Sequence, residues 1–288
     1  MARIEVSGLE IAYELIGREG APAVSLTPGG RFNKETPGLR ELAEELASGG
    51  HRVLIWDRPN CGASDVCFDA DSEPELHGRT LTRLIRALDL GPTAIVGGSS
   101  GSRSSLIAAS RDPEIVSHLC VLWITGEPIG LMGLVHYSAD PALAASKRGM
   151  EAVAALPDFA EQIEKNPRNR DIILRQEPEA FIATMQRWAM FFSPSPDSPV
   201  PGMSPDDFAR LTMPTLVFRS GKSDIHHTRR TSEWVHELIP HSRLVEPPWP
   251  ENEWNDRTDD LFAGKGRGLF ENWPLLAPQL LEFLSRQQ

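Results

Sequence analysis

Ile95-Val96-Gly97-Gly98-Ser99-Ser100-Gly101 is the stretch on which the fold turns. Residues 93–97 (TAIVG) are short, apolar and β-branched, which is a strand pattern, and residues 101–111 follow with a helical one. A chain that passes directly from strand to helix through Gly-x-Ser-x-Gly turns sharply. The flanking glycines relieve crowding and leave the serine hydroxyl projecting at the carboxyl edge of a sheet. Ser99 is therefore a candidate nucleophile, the alternative being a Gly/Ser-rich helix start that merely turns or binds an anion.

Working outward, further strand patterns fall at 10–16 (EIAYELI), 23–27 (AVSLT), 52–56 (RVLIW), 119–125 (LCVLWIT), 214–219 (PTLVFR) and 242–246 (SRLVE). Helical patterns at 37–49, 75–90, 101–111, 229–239 and 274–286 alternate with them, the signature of a mostly parallel sheet with helices on both faces. Residues 4–16, with Gly8 as a turn, predict an antiparallel hairpin that opens the sheet. Between Thr125 and Pro214 no strand pattern occurs, only helical ones. Asp140-Pro141 predicts a helix start, and Pro178 another whose Phe181, Met185, Trp188 and Phe192 share one face. An inserted helical cap at 127–212 is expected on a core built from 1–126 and 213–288. The Pro/Ser-rich run 193–205 closes the cap, and 247–268 is expected to be a long irregular loop.

Composition narrows the function. The chain has 288 residues, enough for a large core, and its 40 acidic against 29 basic residues give a net charge of −11. That sign argues against nucleic acid or an anionic membrane as partner and leaves a small molecule. Three cysteines, Cys61, Cys67 and Cys120, show no CxxC spacing, so a disulfide framework and a zinc ribbon are both disfavoured. With no leader pattern at the amino terminus and no apolar run of about 18 residues, a cytoplasmic enzyme is expected. Oligomerisation is open.

Two other segments converge on the same sheet edge. Pro28-Gly29-Gly30-Arg31 follows the 23–27 strand, and Asp57-Arg58-Pro59-Asn60-Cys61-Gly62-Ala63-Ser64-Asp65 follows the 52–56 strand. The N–H groups of Gly30 and Ser100 are candidates for an oxyanion hole. Together with the Gly-x-Ser-x-Gly turn and the cap, these segments resemble the α/β-hydrolase superfamily, specifically its capped esterases, C–C bond hydrolases and dehalogenases. The resemblance covers essentially the whole chain and implies an α/β-hydrolase fold, a Ser–acid–His triad and no metal or organic cofactor. It places the acid at Asp224, in Gly221-Lys222-Ser223-Asp224 after the 214–219 strand, with Glu127 as the competing carboxylate.

The histidine departs from that pattern. The superfamily's histidine follows the last strand, but here the chain continues Glu246-Pro247-Pro248-Trp249-Pro250-Glu251-Asn252-Glu253-Trp254 and contains no histidine to its end. A serine without a base is a poor nucleophile. His51, His118 and His241 precede strands at the opposite sheet edge, and His236 lies mid-helix. His77 and His136 are remote candidates, and Glu251 or Glu253 would serve as base only with a raised pKa. His226 and His227, two and three residues after Asp224, are the preferred candidates. No metal site is expected of this adjacent pair. Trp249 and Trp254 are expected over a pocket mouth.

Arg103, in the first turn after Ser99, and Arg187, beside Trp188 in the cap, are candidate substrate-binding residues, with Trp188 itself on the pocket roof. The expected activity is serine-dependent hydrolysis of a small apolar or aromatic ester, lactone or activated C–C bond with an atypical triad. The alternatives are a non-hydrolytic lyase, dehydratase or cyclase, and a non-catalytic ligand receptor, on the same fold.

Overall fold

The computed structural model describes residues 2–285. Eight strands, β1 (Ala2–Val6), β2 (Leu9–Ile16), β3 (Ala23–Thr27), β4 (Arg52–Trp56), β5 (Thr93–Gly98), β6 (Val116–Leu122), β7 (Thr215–Phe218) and β8 (Arg243–Val245), form one sheet. Their order is β1-β2-β4-β3-β5-β6-β7-β8. The opening hairpin is antiparallel, as is β2 against β4, and every other pairing is parallel. Gly8, at φ 83°, supplies the hairpin turn that Ser7-Gly8 predicts.

Helices α1 (Leu39–Ser48), α2 (Glu73–Ala87) and α3 (Ser100–Arg111) follow β3, β4 and β5 in turn. Leu39, Leu42, Ala43 and Leu46 of α1 recur at helical spacing and are wholly buried on one sheet face, with Trp273 and Phe270 beside them. The other face buries α2 and α3 through Leu81, Leu84, Ile85, Leu106 and Ile107. At roughly 1.5–3 kcal/mol for each fully buried large apolar side chain, these two layers hold the sheet that carries the site.

After β6 come the short helices α4 (Glu127–Met132), α5 (His136–Arg148), α6 (Met150–Ala154), α7 (Pro157–Lys165), α8 (Arg168–Leu174), α9 (Pro178–Met190) and α10 (Pro205–Ala209). Most of them share an apolar cluster of their own, in which Phe159, Phe181, Met185 and Trp188 close over Phe68. Asparagines fasten this layer to the loop after β4: Asn169 donates to the Ser64 carbonyl at 3.0 Å and accepts from the Val66 N–H at 2.9 Å, and Asn166 donates to Asp65 at 2.9 Å. The chain returns to the sheet through β7, α11 (Arg229–Leu238), β8, α12 (Glu253–Phe262) and α13 (Ala277–Leu284).

Several expected boundaries move. Strand β6 stops at Leu122 rather than 125, because Trp123 takes φ 48° and turns its ring under the site. Pro141 lies inside α5 rather than at its start. Residues 247–268 are not wholly irregular, since Glu253–Phe262 is helical. The helix expected at 274–286 splits into a 3₁₀ turn at Trp273–Leu276 and α13, and residue 286 lies outside the described residues. Among the described residues no helix is long and apolar enough to cross a membrane.

Candidate active site

Ser99 sits between the end of β5 and the first residue of α3, at φ 56° and ψ −128°. A residue with a Cβ occupies that region only at a cost of order 1–3 kcal/mol, so the surroundings must enforce it. Its N–H donates to the Leu122 carbonyl at 3.1 Å, and its carbonyl accepts from the Ser102 N–H at 2.9 Å. Two glycines make the close packing possible. A Cβ on Gly101 would stand 2.3 Å from the Thr27 carbonyl oxygen, and one on Gly29 would stand 2.7 Å from Ser99 Oγ. The turn after β3 therefore lies directly against the serine.

Sheet order brings the remaining groups together. β5, β6 and β7 are consecutive neighbours, so the loop after β7 faces Ser99 across the end of β6, roughly 10 Å away at two strand spacings. An imidazole spans that gap. His227 Nε2 lies 2.9 Å from Ser99 Oγ, and His227 Nδ1 lies 3.1 Å from Asp224 Oδ2. The other carboxylate oxygen accepts the N–H groups of His226 and His227 at 2.9 and 2.8 Å. An ionised carboxylate only accepts, so Nδ1 carries the proton and the Nε2 lone pair faces the serine hydroxyl. Ser99, Asp224 and His227 are all buried. The arrangement can remove a proton from the serine and return it to a leaving group.

Aromatic rings hold the imidazole plane. Trp123, at the end of β6, stacks on His227 with centroids 6.2 Å apart, and Trp254 meets it edge-on at 4.3 Å and 89°. Trp254 belongs to the first turn of α12, which the chain reaches after β8 through Pro247-Pro248-Trp249-Pro250. This segment lies tight against the Asp224 loop: a Cβ on Gly221 would stand 1.9 Å from the Glu251 carbonyl oxygen. The segment that lacks a histidine thus furnishes a wall for the histidine supplied by the preceding loop.

The turn at Gly29-Gly30 has its own organiser, Arg58, which is fully buried. Its Nη2 donates to the carbonyls of Gly29, Gly30 and Phe32 at 3.0, 2.9 and 3.0 Å, and its Nη1 reaches Ser100 Oγ at 3.4 Å. With the carbonyls drawn toward Arg58, the Gly30 peptide is fixed beside Ser99. The Ser100 N–H, first in α3, is one of the donors a helix start leaves unsatisfied. Beyond Arg58 lies a buried polar layer in which Arg31 pairs with Glu73, and Asn60 donates to Glu73 at 3.1 Å. Burial pushes the Glu73 carboxyl up, but Arg31, His77 and the hydrogen bonds from Arg31 and Asn60 together outweigh it, leaving the carboxyl below its usual range. His77 contacts the Pro59 carbonyl at 2.8 Å, and burial lowers its pKa to about 3.

A family model described as the alpha/beta hydrolase family matches residues 26–281, nearly the whole chain. The chain belongs to that family. Among curated relatives, the 2-hydroxy-6-oxononadienedioate/2-hydroxy-6-oxononatrienedioate hydrolase of Cupriavidus pinatubonensis is 37% identical over 79 residues, 27% of each chain. The human serine hydrolase BPHL is 33% identical over 128 residues, 42% of each chain. The chain therefore matches well under half the length of these relatives. Among solved structures, the enol-lactonase from Burkholderia xenovorans LB400 superposes over 99% of this chain and 100% of its own, at TM-score 0.61 and 17% identity. A thermophilic esterase from Thermogutta terrifontis superposes over 99% and 98%, at TM-score 0.62 and 19% identity. At these identities the superpositions show the fold.

In this alpha/beta hydrolase the other candidate residues distribute as follows. His226 does not reach Ser99: its side chain is exposed, and its backbone N–H serves Asp224. Glu127 accepts from Thr228 Oγ1 at 2.6 Å and so ties α4 to the start of α11. Glu251 pairs with Lys222 and Arg229, and Glu253 with Arg257, while Asn272 donates to Glu253. His136 contacts the Gly133 carbonyl, His236 contacts Ser242 and His241 contacts the Met213 carbonyl. Arg187 is exposed, reaches the Ala70 carbonyl and Thr184, and does not face Ser99. Trp188 donates to the Ala70 carbonyl at 2.9 Å within the apolar cluster of α5–α9, so it is a packing residue rather than a pocket roof. Arg103 remains beside the site. Arg58 and Trp123 are site neighbours that the sequence does not announce: the Asp57-Arg58 pair opening the loop after β4 is the one signal for Arg58, and Trp123 has none.

Proposed function

We propose that this chain is a serine hydrolase that cleaves a small ester, lactone or activated C–C bond by way of an acyl-enzyme. The observation that carries the proposal is the single imidazole of His227 within hydrogen-bond distance of both Ser99 Oγ and Asp224. Ser99 Oγ attacks the substrate carbonyl while His227 Nε2 takes its proton. The tetrahedral oxyanion is held by the N–H groups of Gly30 and Ser100. His227, now an imidazolium beside the Asp224 carboxylate, returns the proton to the departing alkoxide or carbanion as the bond breaks. Water then repeats the sequence on the acyl-serine and releases the acid. No step requires a metal or an organic cofactor.

Two curated relatives bear names of hydrolases, one of them a C–C bond hydrolase, which supports the choice of bond. A cavity of about 480 Å³ between core and cap, lined by Arg31, Phe32, Tyr137 and Phe159 among others, adjoins the Gly30 turn and is of a size for a small organic molecule. The non-hydrolytic alternative drew its weight from the missing late histidine, and His227 supplies that function. A receptor has no use for a serine in a costly conformation. A cytoplasmic setting fits the three free cysteines, Cys61, Cys67 and Cys120.

Incubation with p-nitrophenyl acetate and rapid acid quench, followed by peptide mass analysis, tests the proposal. Acetylation of the peptide bearing Ser99, and entry of heavy oxygen from labelled water into the acid product, are expected. Turnover of the natural substrate by Ser99→Ala at the wild-type rate would overturn it.

A further inference from the structure

Arg103 is a buried cation with spare donors. Its side chain is 0% exposed, Nη2 donates to the Phe191 carbonyl at 2.8 Å, and the guanidinium lies 5.3 Å from the centroid of the Phe192 ring. Nε and Nη1 are buried without a hydrogen-bond partner. The nearest influential carboxylate, Glu73, is already engaged by Arg31 and Asn60. Burial lowers the Arg103 pKa to about 10, so the group stays charged at neutrality. A buried charge of this kind costs several kcal/mol unless an anion completes it.

Its place in the fold says where that anion would sit. Arg103 is three residues beyond Ser100 on α3, so the two share a helix face with Cβ atoms roughly 5–6 Å apart. Both line one small cavity together with Gly30, Arg31, Tyr137 and Phe192. That cavity measures about 20 Å³, room for a water molecule in the state described. Its outer wall is made by cap side chains, Leu134, Tyr137 and Phe192, which must turn outward for anything larger. Tyr137 and Arg31 also line the 480 Å³ cavity, so the two spaces share a wall.

We propose that Arg103 binds a carboxylate of the substrate, and that the substrate is a small carboxylic acid whose acid group lies a few bonds from the carbonyl attacked by Ser99. The proposal rests on the assignment of Ser99 and its oxyanion donors above. The unpartnered Nε and Nη1 N–H groups of Arg103 are donors that a carboxylate brought against the guanidinium would engage, whereas a neutral acyl chain in the same place would leave them unsatisfied.

Two esters of equal chain length test it: the mono-p-nitrophenyl ester of glutaric acid and p-nitrophenyl valerate. Wild type is expected to favour the acid ester in kcat/KM by at least about tenfold, the scale of one charged hydrogen-bonded pair. Arg103→Gln is expected to abolish the preference, and Arg103→Lys to retain part of it. If Arg103 only clamps the cap through Phe191, both esters slow together and the ratio stays, which overturns the proposal. An equal preference in wild type overturns it too. Glutarate binding to Ser99→Ala, by calorimetry, is expected and should be lost in the Ser99→Ala, Arg103→Gln double variant. This arm separates failure of the acid site from failure of the hydrolase assignment, since it needs no turnover. Absence of glutarate binding to Ser99→Ala contradicts the proposal.

Discussion

Asp224 and His227 stand three residues apart on one loop, and the carboxylate fixes both the backbone and the ring of the histidine that follows it. One oxygen accepts the N–H groups of His226 and His227, and the other lies 3.1 Å from His227 Nδ1. In this chain the proposed acid and base are one structural unit after β7, and the segment after β8 packs against them.

His227 and His226 should therefore separate cleanly on substitution. His227→Ala is expected to lower kcat by about 10⁴- to 10⁶-fold, as loss of a triad base does. His226→Ala keeps the backbone N–H that serves Asp224 and should stay within a few-fold of wild type. Steady-state kinetics on any accepted ester checks both, and equal losses would contradict the division of roles.

Trp254 is placed to position His227 in the proposed triad. Its edge contact at 4.3 Å, backed by Trp123, which packs against both rings, limits rotation of the His227 ring. Trp254→Ala is expected to lower kcat by about 10- to 100-fold, the scale of a small misplacement of a reacting group, with a smaller change in KM. Trp254→Phe should recover most of the loss. A fall confined to thermal stability, with kcat unchanged, would remove Trp254 from the account.

Arg58 holds the Gly29-Gly30 turn, which carries the proposed oxyanion donor, through three carbonyls. Arg58→Lys preserves charge but not the planar fork, and a single ammonium cannot reproduce this set of contacts. Loss of about 10- to 100-fold in kcat is expected, at most that of removing an oxyanion donor outright. Binding of a boronic acid that mimics the tetrahedral state should weaken in parallel, whereas substrate KM should change little.

Acid stability should report His77. Its folded pKa, about 3, lies below the unfolded value near 6.5, so the unfolded chain binds the extra proton between these values. Stability from this group is complete above about pH 6.5 and is lost as pH falls, by at most about 1.4 kcal/mol per pH unit. Urea unfolding from pH 7 to 5 should show this slope, and His77→Gln should flatten it. An unchanged slope in the variant would mean that other groups govern acid unfolding.

Much of this architecture is legible in the sequence. The strand-to-helix passage through Gly97-Gly98-Ser99-Ser100-Gly101 and the alternation around it sufficed for the sheet, because short β-branched runs flanked by amphipathic helices have few other solutions. Asp224 and the His226-His227 pair were visible from their place after β7, but which imidazole turns inward depends on loop torsions and on two tryptophans from β6 and α12. Sequence spacing carries no record of that. Arg187 and Trp188 looked like pocket residues because helical periodicity identifies a buried face without naming what it is buried against. They lie against residues 68–71, through Phe68 and the Ala70 carbonyl, and not against Ser99. Arg58 is only faintly legible, because the Asp57-Arg58 pair marks a loop start without saying that the guanidinium turns back onto backbone carbonyls.

The most direct measurement is covalent labelling by a fluorophosphonate, followed by peptide mass analysis of wild type, Ser99→Ala and His227→Ala. Rapid, stoichiometric modification of Ser99 in wild type is predicted, with none in Ser99→Ala and severe slowing in His227→Ala. Labelling of His227→Ala at the wild-type rate, or an unreactive Ser99 in the folded wild-type protein, would contradict the assignment of this serine and this histidine as nucleophile and base.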